Sequence, residues 1–328
     1  MSARSERPKR ILTWHIHGSY LYYLTQSPHQ FYLPVKSGTE EGYGGKAGSF
    51  AWGENVVEVP AEQVKNLELD AILFQSRKNY LEDQYELLSD QQLKLPKLYL
   101  EHDPPREHPT DTRHIVDDPN ILLVHVTHFN RLMWDAGRTP TCVIDHGVLV
   151  PKDARYLGNL DRGVVVVNNL LKRGRRLGED IYRQVYAAIP LDLVGMNSKD
   201  VIGGIGEIGI DRLPYFEINY RFFFNPIRYT SLGLAVCEAM MMGMPIIGLA
   251  TTEMVTTVEN GVSGYVDTNV DRLIEKMSRM LADPKEAKRL SEGARRYAHS
   301  RFNIHRFAND WSTVFNQVIE GTGSPELA

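Results

Sequence analysis

Cysteine is scarce: the 328 residues hold two, Cys142 and Cys237, each inside an apolar segment. They read as buried reduced thiols and favour a reducing compartment. An excess of one charge is also missing. The 37 Lys and Arg stand against 41 Asp and Glu, a formal charge of −4. That argues against a dedicated nucleic-acid binder and leaves room for a local basic pocket around a phosphate. No uninterrupted apolar run approaches the roughly 20 residues that span a bilayer. Residues 11–23, which follow the basic N-terminus, carry two histidines and a glycine, a poor signal-peptide core. The expectation is a cytoplasmic protein, with peripheral membrane contact left open.

Several catalytic signatures are absent or fail on context. There is no G-x-S-x-G elbow, so a hydrolase triad has no anchor. Gly204-Ile205-Gly206-Glu207-Ile208-Gly209 satisfies the dinucleotide pattern in letters. No good strand leads into it and no apolar helix opens after it, and Asp211 and Pro214 mark a loop. Gly44-Gly45-Lys46-Ala47 places alanine where a phosphate loop needs Ser or Thr for magnesium. Histidines gather at 15 and 17, at 102, 108 and 114, and at 125 and 128, without zinc spacing, so no metal is expected.

What is present is an alternation of short apolar runs with longer amphipathic stretches, the rhythm of a mostly parallel α/β protein. Strands are expected at residues 11–16, 70–74, 98–100, 121–126 and 141–144, with helices at 79–88 and 130–136 and a glycine-rich loop at 37–52. A polar stretch at 151–162 marks a boundary, after which the rhythm restarts. Strands follow at 164–167, 191–194, 222–224 and 245–249, and helices at 182–188, 234–242, 270–281 and 307–319. The last helix has an apolar face from Phe307, Trp311, Val314, Phe315 and Val318, and the tail after it is expected to be disordered. The chain thus divides into residues 1–150, 151–306 and a C-terminal helix with its tail at 307–328. Two such halves suggest twin doubly wound domains, which bind ligands beyond the carboxyl ends of their strands.

The most informative stretch runs from Tyr229 to Gly248 and on to Val266. Ser231 is a candidate N-cap, and Gly233 lacks a side chain where a turn feeds a helix. Free N–H groups and the helix dipole there attract a phosphate. Glu238 lies inside an otherwise apolar helix, a costly place for a carboxylate unless it accepts hydrogen bonds, as from two ribose hydroxyls. Gly243-Met244-Pro245 ends the helix and launches a strand, and Asn260-Gly261 makes a turn.

This stretch resembles the donor-binding signature of retaining glycosyltransferases of the GT-B fold, family 4 and its relatives (glycosyl transferases group 1). The match comprises Gly233, Leu234, Glu238, Ala239, Met240, Gly243 and Pro245, then Glu259, Asn260, Gly261, Gly264 and Val266. The resemblance implies two Rossmann-like domains with mostly parallel sheets facing across a cleft. Residues 1–150 would be the acceptor side and 151–306 the nucleotide-sugar side, with the C-terminal helix packing back on the first domain.

It also implies roles. Glu238 would hold the nucleotide ribose, and Ser231, Leu232, Gly233 and Leu234 the phosphates. Lys172, Arg173 and Arg175, with Arg176, would neutralise the leaving diphosphate. The family's Arg-Leu pair is missing there, with Asn168 and Asn169 near its place. Gly195 and Met196 would contact the base. His102 would orient the transferred sugar, and His17, Gly18 and Ser19 would line the acceptor side. Thr230 stands where the family carries its first Glu, which leaves the transferred sugar open.

The implied activity is retaining hexosyl transfer from a nucleoside diphosphate sugar, with UDP the expected nucleotide. The acceptor is a carbohydrate or lipid-linked molecule in polysaccharide or glycoconjugate synthesis. No cofactor or metal is required. A sugar-nucleotide epimerase or a phosphorylase of the same fold, and a non-catalytic nucleotide-binding partner subunit, stand as alternatives.

Overall fold

The computed structural model describes residues 7–38 and 40–321. Residues 322–328 of the tail, expected to be disordered, lie outside them. The chain divides into two units, one running to Gly147 and resuming at Ile304, the other spanning Val148–Asn303.

The first unit is built on a parallel seven-stranded sheet. Its strands are β1 (Arg10–Thr13), β2 (Gln30–Val35), β3 (Val56–Pro60), β4 (Ala71–Phe74), β5 (Lys97–Glu101), β6 (Ile121–His125) and β7 (Thr141–Val143). They lie in the order β3-β2-β1-β4-β5-β6-β7. The second unit carries β8 (Leu160–Val166), β9 (Leu191–Val194), β10 (Gly204–Gly206), β11 (Tyr220–Asn225), β12 (Ile246–Leu249) and β13 (Gly264–Asp267). Their order is β10-β9-β8-β11-β12-β13, again parallel.

Central strands are buried along their whole length, as in β4, β6, β11 and β12. Parallel sheets covered on both faces demand such unbroken apolar runs. Leu12, Trp14, Phe74, Tyr99 and Leu123 belong to the core of the first unit, and Val165, Tyr182, Phe222, Phe224 and Met277 to that of the second.

The structure departs from expectation in several places. β2 and β3 were not anticipated: Pro34 interrupts the apolar pattern of β2, and Glu58 breaks that of β3. Gly204–Gly206, read as loop, forms the short edge strand β10, where a run of three suffices because one flank needs no partner. Residues 79–88 form a wide turn, Asn79–Asp83, running into a one-turn helix Gln84–Leu87. An 18-residue helix, Pro284–Arg301, follows Val270–Ala282. Asp283 caps it by accepting from the Lys285 N–H, with Pro at its start. Its buried face is largely small, Ala287, Ala294 and Ala298 with Leu290, so the hydrophobic period is weak.

The helix Ile304–Glu320 closes the first unit. Trp311 Nε1 donates to the Tyr20 hydroxyl at 3.2 Å, and Phe307 packs edge-on against the Tyr20 ring. Among the described residues, no helix is long and apolar enough to cross a membrane.

Candidate active site

In each sheet the chain reverses its direction of travel once, between β8 and β11 in the second unit and between β1 and β4 in the first. At such a point the loops leaving neighbouring carboxyl ends diverge and open a crevice.

In the second unit, four loops at these ends are bonded into one cluster. After β8 and β9, Asn168 Oδ1 accepts from the Met196 N–H at 2.9 Å, and the Asn169 N–H donates to the Met196 carbonyl at 2.8 Å. Asn197 Nδ2 donates to Asn169 Oδ1 at 2.6 Å. Gly195 is required by this approach: its φ is +138°, and a Cβ would sit 2.4 Å from the Val167 carbonyl oxygen. The Arg176 carbonyl accepts from the N–H groups of Arg228 and Tyr229, tying the loop after β8 to that after β11. Thr251 and Thr252, after β12, donate to the carbonyls of Ile227 and Ser231, both at 3.3 Å.

Asn169, Asn197 and Thr252, at φ of 55°, 56° and 53°, are the non-glycine residues with positive φ among the described residues. All three lie in these loops. A β-branched residue such as Thr252 is a genuine outlier there, and conformations of this kind cost about 1–3 kcal/mol and gather at functional sites.

At the centre stands the turn into helix Leu234–Met242. The sequence suggested Ser231 as N-cap. The cap is Gly233, at φ −68° and ψ 133°, with no side-chain bond, while Ser231 is buried two residues earlier. That φ/ψ suits any residue, and a Cβ built on Gly233 meets nothing within 4 Å. Neither conformation nor packing within the protein therefore demands glycine here. The N–H groups of Gly233, Leu234 and Ala235 donate to no main-chain carbonyl among the described residues, so donors at the positive end of the helix face open space.

Glu238 is half-buried one turn further along the same helix. Behind it lies Glu217, not singled out from the sequence, 1% exposed, whose Oε2 has no hydrogen-bond partner among the described residues. Burial first, then the field of Glu238, pushes the Glu217 carboxyl well above the usual carboxylate range.

The basic residues divide by partner. Arg175 and Arg228 both pair with Asp180, and Arg228 Nη1 also donates to the Arg175 carbonyl at 2.7 Å. Hydrogen bonds from Arg228, ahead of the fields of Arg228 and Arg175, hold the Asp180 carboxyl below its ordinary value. Arg173 is exposed at the end of helix Leu170–Arg173. Lys172 is exposed and makes no ion pair among the described residues. Thr230 is half-buried and Leu232 buried in the same turn.

In the first unit the reversal brings together the ends of β1, β4 and β5. His17 is exposed and N-caps helix Gly18–Leu24, which includes Ser19. Its ring centroid lies 4.2 Å from that of His102, just past β5. The Tyr20 and His102 rings stand perpendicular, their centroids 4.9 Å apart. His102 Nε2 is 3.1 Å from Oε1 of Gln75, at the end of β4. Burial, reinforced by His17 and His146, holds the His102 pKa well below its ordinary value. Gln75 and Tyr20 were not singled out from the sequence, although a polar residue closing the apolar run Ala71–Phe74 was a visible sign.

Residues 205–297 match the model of the family described as glycosyl transferases group 1. A D-inositol 3-phosphate glycosyltransferase of Salinispora arenicola (strain CNS-205) is 32% identical over 102 residues, 30% of this chain and 22% of that relative. The match thus spans about a fifth of the relative's length. Among solved structures, a sucrose-phosphate synthase of Thermosynechococcus elongatus superposes with a TM-score of 0.72 at 16% identity, covering 95% of this chain and all of that one. The Anabaena protein HepE, solved in complex with UDP, gives 0.67 at 14% identity, covering 94% of this chain and 100% of that one. The chain has the GT-B fold that these structures share, and its residues 205–297 are similar to glycosyl transferases group 1.

Proposed function

We propose that the protein transfers a sugar, with retention of configuration, from a nucleoside diphosphate sugar to a carbohydrate or lipid-linked acceptor. The observation that carries this reading is Gly233: a glycine with no internal reason to be one, set at a helix start whose first N–H groups donate to no main-chain carbonyl among the described residues. A phosphate approaching the backbone supplies the missing reason. UDP is the nucleotide this reading favours, since the structurally similar HepE was solved in complex with UDP.

Breaking the anomeric bond builds oxocarbenium character on the sugar and negative charge on the departing diphosphate. The N–H groups of Gly233, Leu234 and Ala235 bind that charge, and Lys172 compensates it, since Arg175 is already committed to Asp180. Preorganised donors aimed at developing charge commonly supply the largest share of catalysis. Glu238 accepts from the ribose hydroxyls, Gly195 and Met196 bound the base, and His102 orients the sugar as a neutral imidazole. His17, Gly18 and Ser19 line the acceptor side. The scheme calls for no metal ion.

Melting curves with UDP, GDP, ADP and dTDP test the donor assignment, because a ligand that binds only the folded state raises its apparent stability. One nucleoside diphosphate should raise the midpoint, and its sugar conjugate should release nucleotide faster when an acceptor is added. A flat panel refutes the reading.

A further inference from the structure

Gln75 is buried beneath His102. Its Nε2 donates to Thr13 Oγ1 at 2.8 Å and to the Trp14 carbonyl at 2.9 Å. A carbonyl only accepts, so the amide nitrogen must face Trp14; the flipped amide would press two oxygens together. Oε1 is therefore the atom turned to His102 Nε2, 3.1 Å away. An oxygen without a hydrogen requires a donor, so the proton sits on Nε2. The ring is neutral, because burial and the neighbouring His17 and His146 oppose its charging. The groups that face it are those two histidines, Gln75 and the Tyr20 ring; no carboxylate is among them. Nδ1 then keeps its lone pair, and no group among the described residues bonds to it.

We propose that Gln75 is the positioning residue for His102, fixing the Nε2–H tautomer so that Nδ1 accepts a hydrogen bond from a hydroxyl of the bound sugar. The chain of contacts Trp14–Gln75–His102 joins three strand ends of one sheet, so the acceptor atom is aimed from the sheet itself. Positioning of this kind by an outer hydrogen bond is how proteins commonly choose between the two imidazole nitrogens. The ligand part of the proposal rests on the donor reading above; the tautomer does not.

Nitrogen-15 NMR of uniformly labelled protein tests both parts, with the His102 signals assigned by their loss in His102→Gln. The expected result at neutral pH is a neutral ring with the proton on Nε2. Gln75→Leu should give a tautomer mixture, and Gln75→Glu should move the titration of His102 to higher pH. UDP-glucose should shift the Nδ1 resonance where UDP alone does not. A wild-type ring protonated on Nδ1, or on both nitrogens, overturns the lock whatever the variants do. The Nε2–H form with an Nδ1 signal indifferent to UDP-glucose overturns the sugar contact and leaves the lock standing. A donor panel without any binder refutes the functional reading separately.

Discussion

Gly233→Ala adds one methyl group to the mouth of the helix Leu234–Met242. Inside the protein that methyl has room: the backbone sits at φ −68° and ψ 133°, and nothing lies within 4 Å of the new Cβ. Two small effects on stability oppose each other. Alanine is the poorer N-cap by about 1 kcal/mol, whereas the loss of glycine removes about 0.4–1 kcal/mol of unfolded-state freedom. The net change in unfolding free energy should stay within about 1 kcal/mol. The cost falls on the ligand. A methyl in the path of a phosphate sets it back from the first-turn N–H groups, and a hydrogen bond to a charged group is worth about 1.5–3 kcal/mol. Losing one weakens diphosphate binding roughly 10- to 100-fold. Titration calorimetry with UDP measures the affinity, and urea unfolding of the same preparations measures stability. Unchanged UDP affinity would refute the reasoning. So would a loss of several kcal/mol of stability, since the glycine would then serve the fold.

Three further outcomes follow from the same unit. Glu238→Gln keeps the shape and removes the charge that ribose hydroxyls donate to, so the KM for the sugar nucleotide should rise about tenfold, one charge-assisted bond weakened; steady-state nucleotide release shows it. Glu217 retains its proton in the folded state above the pH at which the unfolded chain releases it. Between the ordinary carboxylate pKa and the raised folded value, stability therefore falls with rising pH, at up to about 1.4 kcal/mol per pH unit. Glu217→Gln should flatten that slope and be the more stable protein at neutral pH, as urea midpoints across the range would record. Gly195→Ala forces a methyl to within 2.4 Å of the Val167 carbonyl at φ +138°; backbone cannot yield cheaply, and a loss of at least about 2 kcal/mol is expected in the same assay.

The sheets were legible where burial on both faces left continuous apolar runs, as at Ile246–Leu249 and Ile121–His125. Patterns mixed with proline or acidic residues hid β2 and β3. Helix Pro284–Arg301 escaped because alanines make much of its buried face, although Asp283 followed by Pro284 was a start signal in plain view. Glu238 and Gly233 stood out because a carboxylate within an apolar helix and a glycine before it require local explanation. Gln75 and Thr252 did not, because each acquires meaning from neighbours far away in sequence: Gln75 from Trp14 and His102, Thr252 from Ser231. The number of cations near Lys172 was readable, but their commitment was not. Asp180 engages both Arg175 and Arg228, a pairing that only the folded loops create.

The first unit is assembled from two stretches of chain separated by the whole of the second. Phe307, Trp311 and Phe315, all fully buried, lie against Tyr20, His29 and Phe31 near the beginning. On the ribosome, the seven-stranded sheet must therefore wait with that flank uncovered until more than 150 further residues have been synthesised. The order of translation makes the second unit the earlier one to be complete, so a polypeptide stopped at Asn303 would expose a sticky aromatic surface, a target for chaperones and proteases.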